Sequence, residues 1–114
     1  DLPFGTAGLD FNQDPLSGVA DALGQPDRLD PVLLDRMMVR CTDKLSLFAA
    51  PATLDNDWEI SAEAFEEVTT QIRGTAPFVV LDLPHIWSGW MRRTLIAADE
   101  VVVVATPDLA SLRN

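Results

Sequence analysis

Residues 78–85 read FVVLDLPH: four apolar side chains in a row, one carboxylate, then a turn built on a proline. A short apolar run without polar alternation fits a strand buried on both faces, as in a parallel sheet covered by helices. Polar groups avoid the interior of such a strand, so Asp82 belongs at its rim, where it is solvated or holds a metal. In open α/β sheets that rim, outside the carboxyl ends of the strands, is where ligands bind. The run therefore constrains the fold and also names the place to look for chemistry.

The flanking segments extend this pattern. Residues 100–105 (EVVVVA) form a second β-branched run, which ends at Pro107. Between the two runs, residues 88–97 predict a helix that presents Trp87, Trp90, Met91, Leu95 and Ile96. Upstream, residues 45–50 (LSLFAA) read as a strand ending at Pro51. A helix is expected from about Ser61, with Phe65, Val68 and Ile72 on one face and Glu63, Glu66, Glu67 and Arg73 outward, closing at Gly74. Two short helices are predicted nearer the start. Asp14-Pro15 and Asp30-Pro31 each read as an N-cap followed by proline at the first helical position. Apolar residues follow at helical spacing: Leu16, Val19, Ala20 and Leu23, closed by Gly24, and then Val32 to Met38. Residues 39–42 fit either a turn or a short edge strand. Residues 1–12 read as a loop in which Gly5 and Gly8 permit positive φ. A helix is expected to begin near the end of the chain. Strands alternating with helices imply right-handed crossovers and a mainly parallel sheet. The expected class is α/β, a mainly parallel sheet with flanking helices.

Length and charge exclude several functions. A chain of 114 residues is one domain at most, and 47% hydrophobic residues supply a modest core. A net charge of −10 argues against a basic nucleic-acid-binding surface. The single cysteine, Cys41, rules out an intramolecular disulfide and fits a cytoplasmic protein. No apolar run approaches the roughly 18 residues of a membrane span. The chain opens on DLP without an initiator Met and stops at SLRN, where a helix is starting. Residues 1–114 are accordingly expected to be the central part of one domain truncated at both ends.

Taken singly, the candidate residues favour ordinary roles. Many buried strands end in an Asp for solubility or helix capping, so Asp82 alone reads as a solvated strand end. Asp1, just before the Gly-containing loop, could orient an attacking water, but alone it reads as a solvated terminal residue. His85 is the only histidine, so no histidine-based metal cluster exists. Cys41 has no local basic group to activate it. Trp87, Trp90 and Met91 suit core packing or, where exposed, a partner surface. Arg92 and Arg93 could offset nearby acids or contact a partner, and a solvated helix face is the default. Asp55, Asp57 and Glu59 lack the Gly and terminal Glu of a calcium loop. No GxxxxGK[ST] phosphate loop is present, so the chain lacks the backbone donors and lysine that hold nucleotide phosphates.

Three segments together, DLPFGTAGLDFN, FVVLDLPH and VVVVATPDLASLRN, resemble in order and approximate spacing the MinD/ParA superfamily of deviant-Walker-A P-loop ATPases. Within it the chain looks most like the CpaE/TadZ branch of tight-adherence (Flp-type) pilus assembly proteins. LDRMMVRCTDKLSLFAAPATLD and TPDLASLRN also look like that branch, and the resemblance covers nearly the whole chain.

The resemblance implies a Rossmann-like three-layer P-loop NTPase fold, ATP and Mg as cofactors of the parent protein, and a homodimer. It also implies a cytoplasmic location at the cell pole, with pilus assembly proteins as partners. Asp1 would match the second Asp of the switch I segment, which positions the attacking water, and Gly5 to Leu9 would form the switch I loop. Asp82 would match the Walker-B carboxylate that reaches Mg through water, and Leu83-Pro84 would continue the switch II turn. Pro107-Asp108 would match a strand-to-helix turn with a structural role. His85 departs from active relatives, which often carry a small residue or Pro there. The Walker A segment would lie upstream of Asp1, so these 114 residues alone are expected to have no ATPase activity. The alternative is a non-hydrolysing scaffold that acts by dimerisation and partner binding.

Overall fold

A computed structural model describes residues 5–13, 18–50 and 59–113. Asp1, the Asp14-Pro15 start signal, and Asp55, Asp57 and Trp58 lie outside the described residues. The elements in chain order are α1 (Ala7–Asp10), α2 (Val19–Gly24), a 3₁₀ turn (Pro26–Arg28), α3 (Pro31–Met37), β1 (Val39–Thr42), β2 (Leu45–Leu47), α4 (Ala62–Arg73), α5 (Gly89–Ala97) and α6 (Leu109–Arg113). The described residues thus combine six helices with one two-stranded antiparallel sheet.

The helices start where their caps dictate. The Asp30 carboxylate accepts from the Leu33 amide at 2.7 Å, and Pro31 opens α3. The Ser61 hydroxyl accepts from the Ala64 amide at 3.0 Å, and Ser88 does the same for Met91 at 3.3 Å. Each such side chain satisfies one of the amides that a helix start leaves without a partner. Gly74 ends α4.

Apolar spacing then builds the core. Leu34 and Met37 of α3 pack with Val68 and Ile72 of α4, Ala22 of α2 and Leu29, with Leu23, Met38, Phe48 and Val79 at the margin. Leu34 is only 1% exposed. Burial of each large side chain is worth about 1.5–3 kcal/mol. The Gln71 side-chain Nε2 donates to the Leu29 carbonyl at 3.0 Å and ties α4 to the end of the 3₁₀ turn. On the other side of α4, Phe65 meets Trp90 of α5 with ring centroids 4.7 Å apart, a tilted aromatic pair. An exposed Arg93–Glu63 ion pair at 3.3 Å spans the same two helices. Arg93 therefore does offset a nearby acid.

Several expectations need correction. Of residues 45–50 only Leu45–Leu47 are in a strand, which runs antiparallel to β1. The reason is local: Asp43 and Lys44 turn the chain straight back, and Lys44 donates its amide to the Thr42 hydroxyl at 3.2 Å. Val39 pairs with Leu47 and Arg40 with Ser46, and the register then slips so that Cys41 is the extra residue before Thr42 pairs with Leu45. Residues 39–42, left between turn and strand, are strand.

The two apolar runs also differ from expectation. Residues 78–84 and 100–106 run without helix, turn or bend, yet neither is paired into a sheet among the described residues. Val79 reaches the core margin, but Phe78 and Val80 are exposed, as are all of Val101–Val104. Backbone pairing, which an apolar sequence does not itself contain, is what is missing.

The stretch before α2, expected as a loop, contains the short helix α1, which includes Gly8, and no described glycine takes positive φ. Asn12 does, at φ 52°, directly after the short helix α1 has closed. Asn tolerates the left-handed region better than most residues. Trp87 precedes the Ser88 cap and stands outside the helix it was expected to join.

Candidate functional site

Asp82 is positioned by what lies on either side of it. Val79 anchors the run against the core, three residues before Asp82. Asp82 itself is exposed, Leu83 and Pro84 are half-buried, and His85, Ile86 and Trp87 are again exposed. The Ile86 amide donates to the Pro84 carbonyl at 2.9 Å, a three-residue turn with His85 at its centre. Ser88 then starts α5, whose Trp90 and Met91 are buried. Asp82 is thus an exposed residue between an anchored apolar run and a tight turn that leads into a packed helix.

The loop expected to respond to a ligand is organised by its own hydrogen bonds. The Thr6 hydroxyl donates to Asp10 at 3.0 Å, the Gln13 amide to the Gly8 carbonyl at 2.8 Å, and the Gln13 side chain to the Phe11 carbonyl at 3.2 Å. Gly5 sits exposed at its start. No hydrogen bond joins residues 5–13 to Pro84 or His85 among the described residues. Gly5 and Pro84 thus share no backbone hydrogen bond among the described residues. Asp1 is outside the described residues.

Two open cavities occur elsewhere. One, of about 390 Å³, lies between the 3₁₀ turn and α4, with Asp27, Glu63, Glu67 and Gln71 in its wall. Among the described residues no group of three or more side chains is arranged to hold a metal ion. The other, of about 650 Å³, lies where residues 103–107 meet α6.

Beside that second cavity is a polar cluster with a capping role. Asp108 accepts from the Ser111 amide at 2.8 Å and from the Thr106 hydroxyl, and Thr106 and Ser111 lie 2.9 Å apart through their hydroxyls. The Thr106 hydroxyl, and after it the Ser111 amide, hold the Asp108 carboxyl below its ordinary value. This agrees with a structural role for Pro107-Asp108. The signal in the sequence is an acidic residue directly ahead of a short helical segment, with Ser three positions on.

A magnesium ion accompanied by nucleotide finds a partial fit. Asp82 is an exposed carboxylate at the end of an apolar run, suited to a contact through water, which requires no cluster of protein ligands. The chain contributes no phosphate loop. No protein-family model, curated protein or solved structure matches this chain.

Proposed function

We propose that this chain belongs to a nucleotide-dependent switch protein of the MinD/ParA type, in the branch that serves tight-adherence pilus assembly. In this reading residues 78–82 and 100–105 are parallel strands of a Rossmann-like sheet, and α5 is the right-handed crossover between them. The observation that carries the reading is the exposed carboxylate of Asp82, presented after an apolar run and before a tight turn into a helix.

A bound magnesium ion would supply charge neutralisation for nucleotide phosphates. Asp82 would hold such an ion through a bound water, Pro84 would stiffen the turn that follows it, and Gly5 would give the first loop room to close. Asp1 orients the attacking water. Each side chain biases a loop between two positions, and that is the physical content of a switch. The partners in this reading are a second subunit and the pilus machinery, and the place is the cytoplasmic side of the cell pole.

A second reading, a non-hydrolysing scaffold, is favoured by Trp87. Trp87 is 78% exposed directly after the turn, beside exposed Ile86. Large exposed aromatic surface of this kind suits partner docking.

The test is MgATP binding by the full-length protein measured by calorimetry, with Asp82→Ala beside the parent. The switch reading expects at least a tenfold loss of affinity, and unchanged binding and turnover remove Asp82 from the site. Steady turnover that Asp1→Ala abolishes excludes the scaffold.

A further inference from the structure

We infer that Phe65 of α4, through its ring contact with Trp90, is a positioning residue for Asp82. The inference rests on the switch reading and deepens it, naming a side chain outside the site that sets where the carboxylate stands.

Two separate anchors hold the stretch that carries Asp82. Asp82 is exposed, so burial of its own side chain does not fix it, and its place follows from the chain on either side. Upstream, Val79 packs at the margin of the main core, to which α4 gives Val68 and Ile72. Downstream, the chain passes through the Pro84–Ile86 turn and the Ser88 cap into the first turn of α5. Trp90 and Met91 lie in that first turn, and among the described residues after α4 they are the only buried ones. Neither belongs to the main core. At the other end of α5, Ile96 is exposed. The helix is therefore docked at the end nearest Asp82.

Trp90 docks on Phe65. Their ring centroids are 4.7 Å apart with the planes tilted by 42°, within the range at which aromatic rings attract. The Arg93–Glu63 ion pair also joins α4 to α5, but both side chains are exposed, and exposed ion pairs stabilise little. The aromatic contact is thus the stronger of the two ties. Phe65, Val68 and Ile72 follow one another at spacings of three and four, so they share one face of α4. One helix face accordingly carries both supports of the Asp82 stretch. Truncating Phe65 releases the downstream support and leaves the upstream one in place, because Phe65 is not part of the main core. The turn between Asp82 and Ser88 then gains freedom, and the carboxylate is held in place less often.

Two measurements on the full-length protein test this: hydrogen exchange over residues 83–88 without nucleotide, and calorimetry with ATP in the presence and absence of magnesium. In Phe65→Ala, exchange over 83–88 should quicken while the Leu34 amide keeps the parent's rate. Affinity for MgATP should fall roughly three- to tenfold, with affinity for magnesium-free ATP unchanged, since only the carboxylate that meets the ion is displaced. Phe65→Tyr keeps the ring and should restore both readouts. Phe65→Leu, which keeps apolar bulk without the ring, decides the same points on a smaller scale if Phe65→Ala does not fold. Unchanged exchange over 83–88 overturns the inference, because the turn is then not held through Phe65. An equal loss of affinity with and without magnesium also overturns it, leaving Phe65 a general stability role. If the parent binds MgATP and Phe65→Ala binds it equally well, this inference fails and the switch reading stands. A parent that binds no MgATP overturns the switch reading and this inference with it, so the two failures are told apart.

Discussion

Leu34 and Val104 are both aliphatic and both belong to apolar stretches, yet one is 1% and the other 94% exposed. The difference lies in the period of each stretch. Around Leu34, apolar residues recur at helical spacing, so α3 can turn Leu34 and Met37 onto Val68 and Ile72 of α4 while Asp35 and Arg36 face water. A helix makes its own backbone hydrogen bonds and needs a neighbour only for one face. Around Val104 there is no period. Such a run needs a neighbouring strand for its backbone and a layer for each face, and none of the described elements supplies them. Helical packing in this chain is self-sufficient, and strand packing depends on partners.

The largest expected effect sharpens that contrast. Leu34→Ala should destabilise the protein by about 3 kcal/mol, from lost transfer energy and an incompletely collapsed cavity. Val104→Ala, measured at a concentration where the chain is monomeric, should change stability by less than about 0.5 kcal/mol. Urea unfolding of both variants gives the comparison directly. Equal costs would mean that residue 104 is buried in solution, and the contrast would collapse.

A smaller effect tests the junction between the two kinds of packing. Gly18 is buried where α2 begins, and the Val19 amide donates to the Ala49 carbonyl at 3.1 Å, just beyond β2. A Cβ added to Gly18 would come within 1.9 Å of the Ala49 oxygen, which is backbone and cannot rotate away. Gly18→Ala should therefore cost about 2 kcal/mol, an overpacking penalty, by the same urea measurement. A neutral substitution would show that the hairpin end and α2 are not held together as described.

Sequence reasoning succeeded where structure is local. The cap at Asp30 acts through an amide three residues away, the helix starts near Ser61 and Ser88 follow from local spacing, and the inward face of α4 follows from a 3.6-residue period, so all are legible in the order of residues. It fell short where partners are distant. The hairpin β1–β2 replaced an expected parallel strand because a two-residue turn at Asp43-Lys44 outweighed the apolar character of residues 45–50. Of the candidate site, the exposure of Asp82 at the end of its run was legible from the carboxylate alone. Its relation to Gly5 was not, because that distance depends on tertiary packing which no spacing encodes.

The smallest effect concerns the exposed region alone. Asp108 holds the first turn of α6 by accepting from Ser111 and Thr106, and those donors lower its carboxyl from the ordinary value. A depressed folded-state value means that the anion favours the folded cap. The contribution is therefore complete above the ordinary aspartate range and disappears as pH falls through the lowered value. Because Asp108 lies on the surface, the loss is confined to α6 and should not reach the core. NMR titration should show the Ser111 amide shifting with a midpoint below that of an ordinary aspartate, while the Leu34 and Val68 amides do not follow it. Asp108→Asn keeps an acceptor but removes the charge, so the Ser111 shift should lose this titration. Were the Leu34 amide to move with Ser111, α6 would be coupled to the core, and the two regions would be one cooperative unit.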